Sequence, residues 1–176
     1  MKLIRNLLLA MLMIGAVSTM ARADGNTMTL QLKDGNVVIQ LEPDLAPKTV
    51  AHIKALVAKG FYDDTPIHRV IPGFMAQMGD PTGTGTGGSG QNVPAEFTDT
   101  PFERGTVGLA RSSDPDSGDS QFFICFAAAD FLNKQYTVFG KVVSGMEVVD
   151  KIKAGTEANN GAVDNPDHII KATLGQ

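Results

Sequence analysis

One segment of the sequence combines a strong cation, a side-chain amide and several large apolar side chains: residues 67–80, IHRVIPGFMAQMGD. Pro72-Gly73 predicts a turn between two strands. Because side chains alternate faces along a strand, Met75 and Gln77 share one face of the second strand. A hairpin can therefore set Arg69 and Gln77 beside large apolar groups, where a guanidinium acts as a rigid and permanently charged donor. A surface ion pair made by Arg69 is the alternative that the pattern leaves open.

The other residue types that often carry chemistry lack the spacing that the chemistry needs. His52, His68 and His168 are scattered and have no metal-ligand spacing with cysteines or acids, so no metal site is expected. His52 is expected on the exposed side of the first helix. Cys125 lies in the apolar run QFFICF and is expected to be a small buried hydrophobe rather than a nucleophile. No G-x-S-x-G nucleophile elbow is present.

Two loops match ligand-binding motifs only in part. Residues 83–88, GTGTGG, fit G-x-G-x-x-G, but a dinucleotide site needs this motif to open a helix, and the SGQNVP that follows predicts none. We expect a flexible surface loop there. In residues 114–119, DPDSGD, Gly118 and Asp119 stand where an EF-hand needs Asp or Asn and then Gly. A solvated turn is expected, with incidental calcium binding as the alternative.

The start of the chain has the three-part layout of a secretory signal peptide. Two basic residues in the first five precede an apolar run over 7–17, and Ala-Arg-Ala at 21–23 fits a cleavage site. The apolar run is shorter than the roughly 20 residues that span a bilayer. We therefore expect a signal peptide at 1–23 and one mature domain at 24–176, with an uncleaved membrane anchor as the alternative.

The charge balance excludes several classes of partner. The whole chain has a formal net charge of −4. The predicted leader carries basic residues and no acids, so its removal leaves a more acidic domain. Nucleic acids need clustered Lys and Arg, and anionic lipids also attract basic surfaces, so neither partner is expected. With one cysteine, no internal disulfide can form, and the stability of the fold must come from its core.

The spacing of apolar residues predicts two helices and about eight strands. Alternation on both sides of Asp34-Gly35 predicts a tight hairpin over 28–41. Helical spacing predicts a first helix that begins at Pro47 and ends just before Gly60, and a capping-box spacing from Ser144 predicts a second one that ends at Gly155. Further strands are expected at 67–71, 74–79, 106–110, 121–126, 138–143 and 168–174. The sequence therefore favours a mainly β fold, a closed eight-stranded antiparallel barrel with two α-helices, although the pattern alone does not separate a barrel from a sandwich.

The segment 67–80 closely resembles the signature of the cyclophilins, a family of peptidyl-prolyl cis-trans isomerases. Three later segments agree in order and spacing: GTVGLA at 105–110, SQFFIC at 120–125 and VFGKV at 138–142. The resemblance covers about residues 27–174. It implies a closed eight-stranded β-barrel capped by two α-helices, with a groove on its outer face. It also implies a rotamase that acts on proline-containing segments of unfolded or folding proteins and uses no cofactor. The sequence carries no signal for the oligomeric state, so a monomer is the default expectation.

The resemblance also assigns roles to single positions. Arg69 matches the catalytic arginine of the family. The matching substrate contacts are Phe74, Met75, Phe123 and Leu132 in the proline pocket, Gln77 and Gln121 as groups that hold the peptide backbone, and Ala110 and Arg111 as the strip along which that backbone pairs.

Three positions depart from the most frequent family pattern. Phe131 stands where many members have tryptophan, Tyr136 where many have histidine, and Arg111 where asparagine is frequent. Phe131 and Tyr136, like Arg111, are still predicted to contact the substrate. These departures bear on the binding of the drug cyclosporin and on fine specificity. The combination resembles the bacterial periplasmic branch, often called isomerase A. It implies a location in the periplasm and a role in the folding of exported proteins.

The residues suit the reaction that the resemblance implies. Rotation about a peptide bond breaks no covalent bond, so it requires no nucleophile and no metal.

A proline-peptide binding module or a holdase without turnover is the main alternative function, because it needs the same apolar pocket. An arginine beside the pocket favours the enzyme. A glycan-binding barrel would be expected to expose a tryptophan platform, and the chain has no Trp.

Overall fold

The computed structural model describes residues 25–175, so the predicted signal peptide lies outside the described part of the chain. Its first two strands, β1 (Thr27–Leu32) and β2 (Gly35–Leu41), form the predicted hairpin. Met28, Leu30 and Leu32 alternate with more exposed residues and point into the core, as the sequence pattern predicts. Within the described part of the chain, no helix is long and apolar enough to cross a membrane.

The first helix, α1 (Pro47–Ala58), begins at a proline, which suits the first helical position because its missing N–H would have no partner there. Its apolar stripe packs on the core through Val50, Ile53 and their neighbours at helical spacing. The predicted exposure of His52 is wrong. His52 is buried, and its Nε2 lies 3.2 Å from Asp119 Oδ1, because the loop around residue 119 packs on the side of α1 away from the sheet core.

The later strands are β3 (Thr65–Pro66), β4 (Arg69–Ile71), β5 (Met75–Met78), β6 (Thr106–Leu109), β7 (Phe122–Cys125), β8 (Val138–Ser144), β9 (His168–Ile169) and β10 (Lys171–Leu174). Eight strands form one curled sheet, in the order β10-β1-β2-β8-β6-β7-β5-β4. A separate pair is formed by β3 and β9. The other predicted strands are confirmed, but the one predicted over 168–174 is two strands, β9 and β10, that belong to different sheets, and the short β3 is an addition.

The sheet is open, so the prediction of a closed barrel is wrong. In the described residues, the end strands β4 and β10 do not pair with each other. The segment 155–163 bonds the edge of β4 instead. Val70 N–H donates to Gly161 O at 2.8 Å, and Gly155 N–H donates to Val70 O at 3.0 Å. Because an irregular segment bonds the edge of β4, the sheet ends as a half-barrel, a difference that strand patterns do not encode.

The second helix, α2 (Met146–Val149), is a single turn rather than the predicted helix over 144–155. Ser144 belongs to β8, and the cap position is Gly145, with φ 92° and no capping side chain. A Cβ on Gly145 would lie 2.2 Å from Asn36 O, so the chain turns against β2 at a point where only glycine fits. This close approach sets the start of the helix.

Two apolar clusters lie on opposite faces of the sheet. The larger one fills the inside of the curl and includes Phe122 and Phe139. The second lies on the outer face and includes Met75, Phe102 and Phe123. Because neighbouring residues of a strand point to opposite faces, Phe122 and Phe123 belong to different clusters. The outer cluster supports the groove described below.

Candidate active site

The hairpin of β4 and β5 places Arg69 directly opposite Gln77. Arg69 Nη1 donates to Gln77 Oε1 at 3.1 Å, and both side chains are partly exposed on the outer face of the sheet. The predicted turn at Pro72-Gly73 is present, with Gly73 at φ 73°. The structure thus brings together the cation and the amide that the sequence singled out.

A second partner of Arg69 was missed by the sequence analysis. Arg69 Nε donates to Asn160 O at 2.9 Å, and Nη2 donates to Asn160 Oδ1 at 3.0 Å. Asn160 has φ 57°, a left-handed conformation that asparagine tolerates better than most residues. The only signal for this position was the Asn160-Gly161 pair, which predicts a turn but not its neighbour in space.

These hydrogen bonds leave part of the guanidinium for a ligand. Of its five N–H groups, three are donated to Asn160 and Gln77, which leaves one on Nη1 and one on Nη2 within the described residues. Partial burial lowers the pKa of Arg69, and nearby Tyr136 acts in the opposite direction. The group stays a cation at neutral pH, as arginine does in proteins.

An apolar cavity of about 450 Å³ lies beside this guanidinium. Phe123 lines this cavity. The centre of its ring lies 5.8 Å from that of the edge-on Tyr136 ring and 5.7 Å from that of the stacked Phe102 ring. Phe131 is 69% exposed, and its ring lies 5.2 Å from that of Phe74. The lining comprises Arg69, Phe74, Met75, Gln77, Ala110, Arg111, Phe123, Phe131, Leu132, Gln135 and Tyr136. All the predicted site residues except Gln121 therefore lie around one cavity, and Gln135 is an addition.

Gln121 lines a second cavity of about 540 Å³ beside the first, and its side-chain amide is already engaged. Its Nε2 donates to Gly85 O at 3.0 Å and to Gly87 O at 2.8 Å. Its Oε1 accepts from Gln77 Nε2 at 2.8 Å. Both N–H groups of Gln121 are thus donated to carbonyls inside the protein.

The guanidinium of Arg111 forms hydrogen bonds with the backbone of two segments beside the groove. Its Nε and Nη2 donate to Gln135 O at 3.1 Å and 2.8 Å, and Nη1 donates to Ser112 O at 2.8 Å. The guanidinium carbon lies 4.6 Å from the centre of the Tyr136 ring. Ala110 N–H donates to Gln121 O at 2.9 Å, so it too is already used. The side chain of Arg111 therefore lines the groove while its N–H groups bond the backbone around it.

Other groups with possible chemistry lie away from the cavity or are inert. Cys125 is fully buried, and burial raises its pKa to about 12, so it stays a neutral thiol. Burial also lowers the pKa of His68, which is 7% exposed. Within residues 25–175, no three His, Cys, Asp or Glu side chains are grouped closely enough to hold a metal ion.

The comparison with known families defines the class of protein. The family model described as "Cyclophilin type peptidyl-prolyl cis-trans isomerase/CLD" matches residues 27–174. A probable peptidyl-prolyl cis-trans isomerase of Brucella suis is 59% identical over 176 residues, covering 93% of this chain and 90% of its own. Peptidyl-prolyl cis-trans isomerase B of Bacillus subtilis is 45% identical over 127 residues, covering 70% and 88%.

Solved structures agree with the sequence relatives. A Cryptosporidium parvum cyclophilin type peptidyl-prolyl cis-trans isomerase, determined in the presence of the dipeptide Ala-Pro, has a TM-score of 0.78 at 28% identity. It covers 85% of this chain and 99% of its own. The chain belongs to the cyclophilin-type peptidyl-prolyl cis-trans isomerase family. It is an isomerase of X-Pro peptide bonds rather than a binding module without turnover.

Proposed function

We propose that Arg69 stabilises the twisted transition state of an X-Pro bond whose proline ring occupies the apolar cavity. The observation that carries this proposal is the guanidinium at the edge of the cavity, held on one side by Asn160 and on another by Gln77. A donor fixed in this way needs no rearrangement during the reaction. Binding of proline-containing segments is further supported by the Ala-Pro dipeptide present with the related Cryptosporidium parvum protein.

The proposed mechanism follows from amide resonance. Rotation about a peptide bond has a barrier of about 18–20 kcal/mol because it breaks the conjugation of the amide nitrogen. As the bond twists, the prolyl nitrogen becomes pyramidal and regains a lone pair. The free N–H groups of Arg69 then gain an acceptor that the planar ground state lacks, so they bind the transition state more tightly than the substrate.

The apolar side chains around Phe123 have two roles in this proposal. They hold the proline ring while the carbonyl of the preceding residue swings. They also exclude water, which strengthens the electrostatic effect of the guanidinium. Gln77 is placed to donate its remaining amide N–H to the flanking backbone of the substrate.

The test is the rate of isomerisation of an X-Pro peptide, measured with an excess of coupling protease. Arg69→Ala is expected to lose about 10²–10³ in kcat/KM and to keep its fold, since removal of one preorganised donor typically costs that much. Arg104→Ala is the matched control, because Arg104 makes a bidentate ion pair with Asp150 away from the groove. Activity of Arg69→Ala within about threefold of wild type would rule out this mechanism.

We also propose that the protein is exported and assists the folding of exported proteins in the periplasm, where it acts as a monomer. Support comes from the signal-peptide pattern at 1–23. N-terminal sequencing of the abundant species should find Asp24 in a periplasmic fraction, and light scattering should give the mass of one chain. Met1 on the abundant species would count against export.

A further inference from the structure

We propose that the buried carboxylate of Asp80 is a positioning residue for Arg69. It lies outside the apolar cavity and acts through the glycine-rich loop 83–88. The side-chain amides of Gln121 and Gln77 connect this loop to the arginine. The inference rests on the proposed catalytic role of Arg69, and it adds a residue that has no contact with the substrate.

Asp80 is fully buried, two residues after the end of β5, and forms hydrogen bonds to the glycine-rich loop. Its Oδ2 accepts from Gly85 N–H at 2.7 Å and from Gly87 N–H at 3.0 Å. Its Oδ1 accepts from the N–H and the hydroxyl of Thr82 at 2.8 Å and 2.7 Å. Burial raises the pKa of Asp80, but these hydrogen bonds outweigh it and lower the pKa to about 2. The loop therefore closes around a carboxylate that stays an anion at neutral pH.

The loop approaches the carboxylate so closely that it requires glycine. A Cβ on Gly87 would lie 2.1 Å from Asp80 Oδ1, far inside van der Waals contact. The backbone N–H groups of Gly85 and Gly87 thus point inward to the anion, while their carbonyls accept from Gln121 Nε2. The two glycines that the carboxylate holds are the same two that orient Gln121.

The hydrogen-bonding partners at the loop and at Arg69 fix the orientation of the side-chain amides of Gln121 and Gln77. Two carbonyls face one end of Gln121, and carbonyls only accept, so that end must be the NH₂ group. Its Oε1 then accepts from Gln77 Nε2, which turns Gln77 Oε1 toward Arg69. A guanidinium only donates, so the orientation required at the arginine agrees with the orientation set by the loop. The hydrogen bonds form one directed series from Asp80 to Arg69.

Replacement of the Asp80 carboxylate should weaken the hydrogen bonds of this series. Without the carboxylate, the loop carbonyls are free to move and Gln121 can rotate its amide. Gln77 could then rotate as well and direct its NH₂ group at the guanidinium, where two donors repel each other. A displacement of about 1 Å in a catalytic group can cost about 10² in rate. The loss should therefore fall on kcat more than on KM, since the apolar cavity is unchanged.

A double-mutant cycle separates positioning from general destabilisation. Asp80→Asn should lose about tenfold or more in kcat/KM in the wild-type background. Gln121→Met breaks the series between the loop and Gln77, so Asp80→Asn should then cost less than about twofold. Equal losses in both backgrounds would mean that Asp80 only supports the fold, and would overturn the proposal. Asp167→Asn is the control, because Asp167 accepts from Lys153 N–H in a loop remote from the groove.

A measurement on the wild type keeps the proposal testable even if Asp80→Asn fails to fold. Both side-chain amide protons of Gln121 should exchange slowly with solvent by NMR, because both are donated to carbonyls. Exchange at the rate of a free amide would overturn the proposal. The outcomes also separate the two hypotheses. An active Arg69→Ala contradicts the proposed mechanism, whereas an inactive Arg69→Ala with a fully active Asp80→Asn contradicts only the role of Asp80.

Discussion

Asn160 holds Arg69 by its backbone carbonyl and its side-chain oxygen together, although the two residues are 91 positions apart in the chain. The contact joins the edge strand β4 to the irregular segment that occupies the opening of the sheet. The orientation of the guanidinium therefore depends on this segment as well as on the hairpin that carries Arg69. The first prediction tests that dependence.

Asn160→Gly should lower kcat/KM by about 3–10-fold. Glycine keeps the left-handed backbone, at φ 57°, and the carbonyl that accepts from Arg69 Nε, so only the bond to Oδ1 is lost. The protease-coupled assay measures the effect. Asn165→Gly is a matched control, because Asn165 also has a left-handed backbone, at φ 49°, but no contact with Arg69 in the hydrogen bonds described. Equal activity of the two variants would show that Oδ1 has no role.

Arg111→Lys should weaken peptide binding about 3–10-fold and leave kcat within about twofold. Lysine keeps the charge, but it lacks the planar guanidinium that bonds Gln135 O and Ser112 O from a fixed fork and lies against the Tyr136 ring. A cation–π contact is worth about 0.5–2 kcal/mol, which sets the expected scale. Titration of a proline peptide by NMR gives the affinity, with Arg104→Lys as the control. Full rescue by lysine would mean that only the charge of Arg111 is used.

Cyclosporin should inhibit the protein weakly. Phe131 is 69% exposed at the rim of the cavity and offers no N–H where many relatives offer the indole of tryptophan. An unmade hydrogen bond in a buried contact costs roughly 1–3 kcal/mol, so Phe131→Trp should tighten inhibition about 5–100-fold. Phe131→Leu adds no donor and should not tighten it. Stoichiometric inhibition of the wild type at nanomolar concentrations would contradict this prediction.

The isomerase rate should be nearly constant from about pH 6 to pH 8. Arg69 remains charged across this range, and glutamine does not titrate. His68 lies next to Arg69 in sequence, but its ring is buried, and burial lowers its pKa, so it stays neutral over most of the range. Values of kcat/KM should be measured with the coupling protease in excess at every pH. A sigmoid near pH 6.5 that disappears in His68→Gln would show that a titrating group takes part.

His68 should also make the free energy of unfolding decrease as the pH falls. Because its pKa is lowered in the folded protein, the unfolded chain binds more protons at and below about pH 6.5. Its contribution to the free energy of unfolding is therefore complete above that pH and declines as the pH falls. Denaturant unfolding of wild type and His68→Gln at pH 5 and pH 7.5 should show a smaller pH dependence in the variant.

The sequence by itself determined the local half of the site. Side-chain alternation and the Pro72-Gly73 turn placed Arg69 and Gln77 together, because the register of a short hairpin depends only on residues close in sequence. Spacing of the motifs along the chain was enough for the family and the reaction.

Only the tertiary structure decided what holds these residues in place. The contact of Asn160 with Arg69, the burial of His52 against Asp119 and the opening of the sheet between β4 and β10 all join distant segments. Such contacts depend on how loops close over the surface, and apolar periodicity describes only the faces of helices and strands. The anion of Asp80 shows the same limit, since a loop rich in glycine has no pattern of its own and takes its conformation from the group it surrounds.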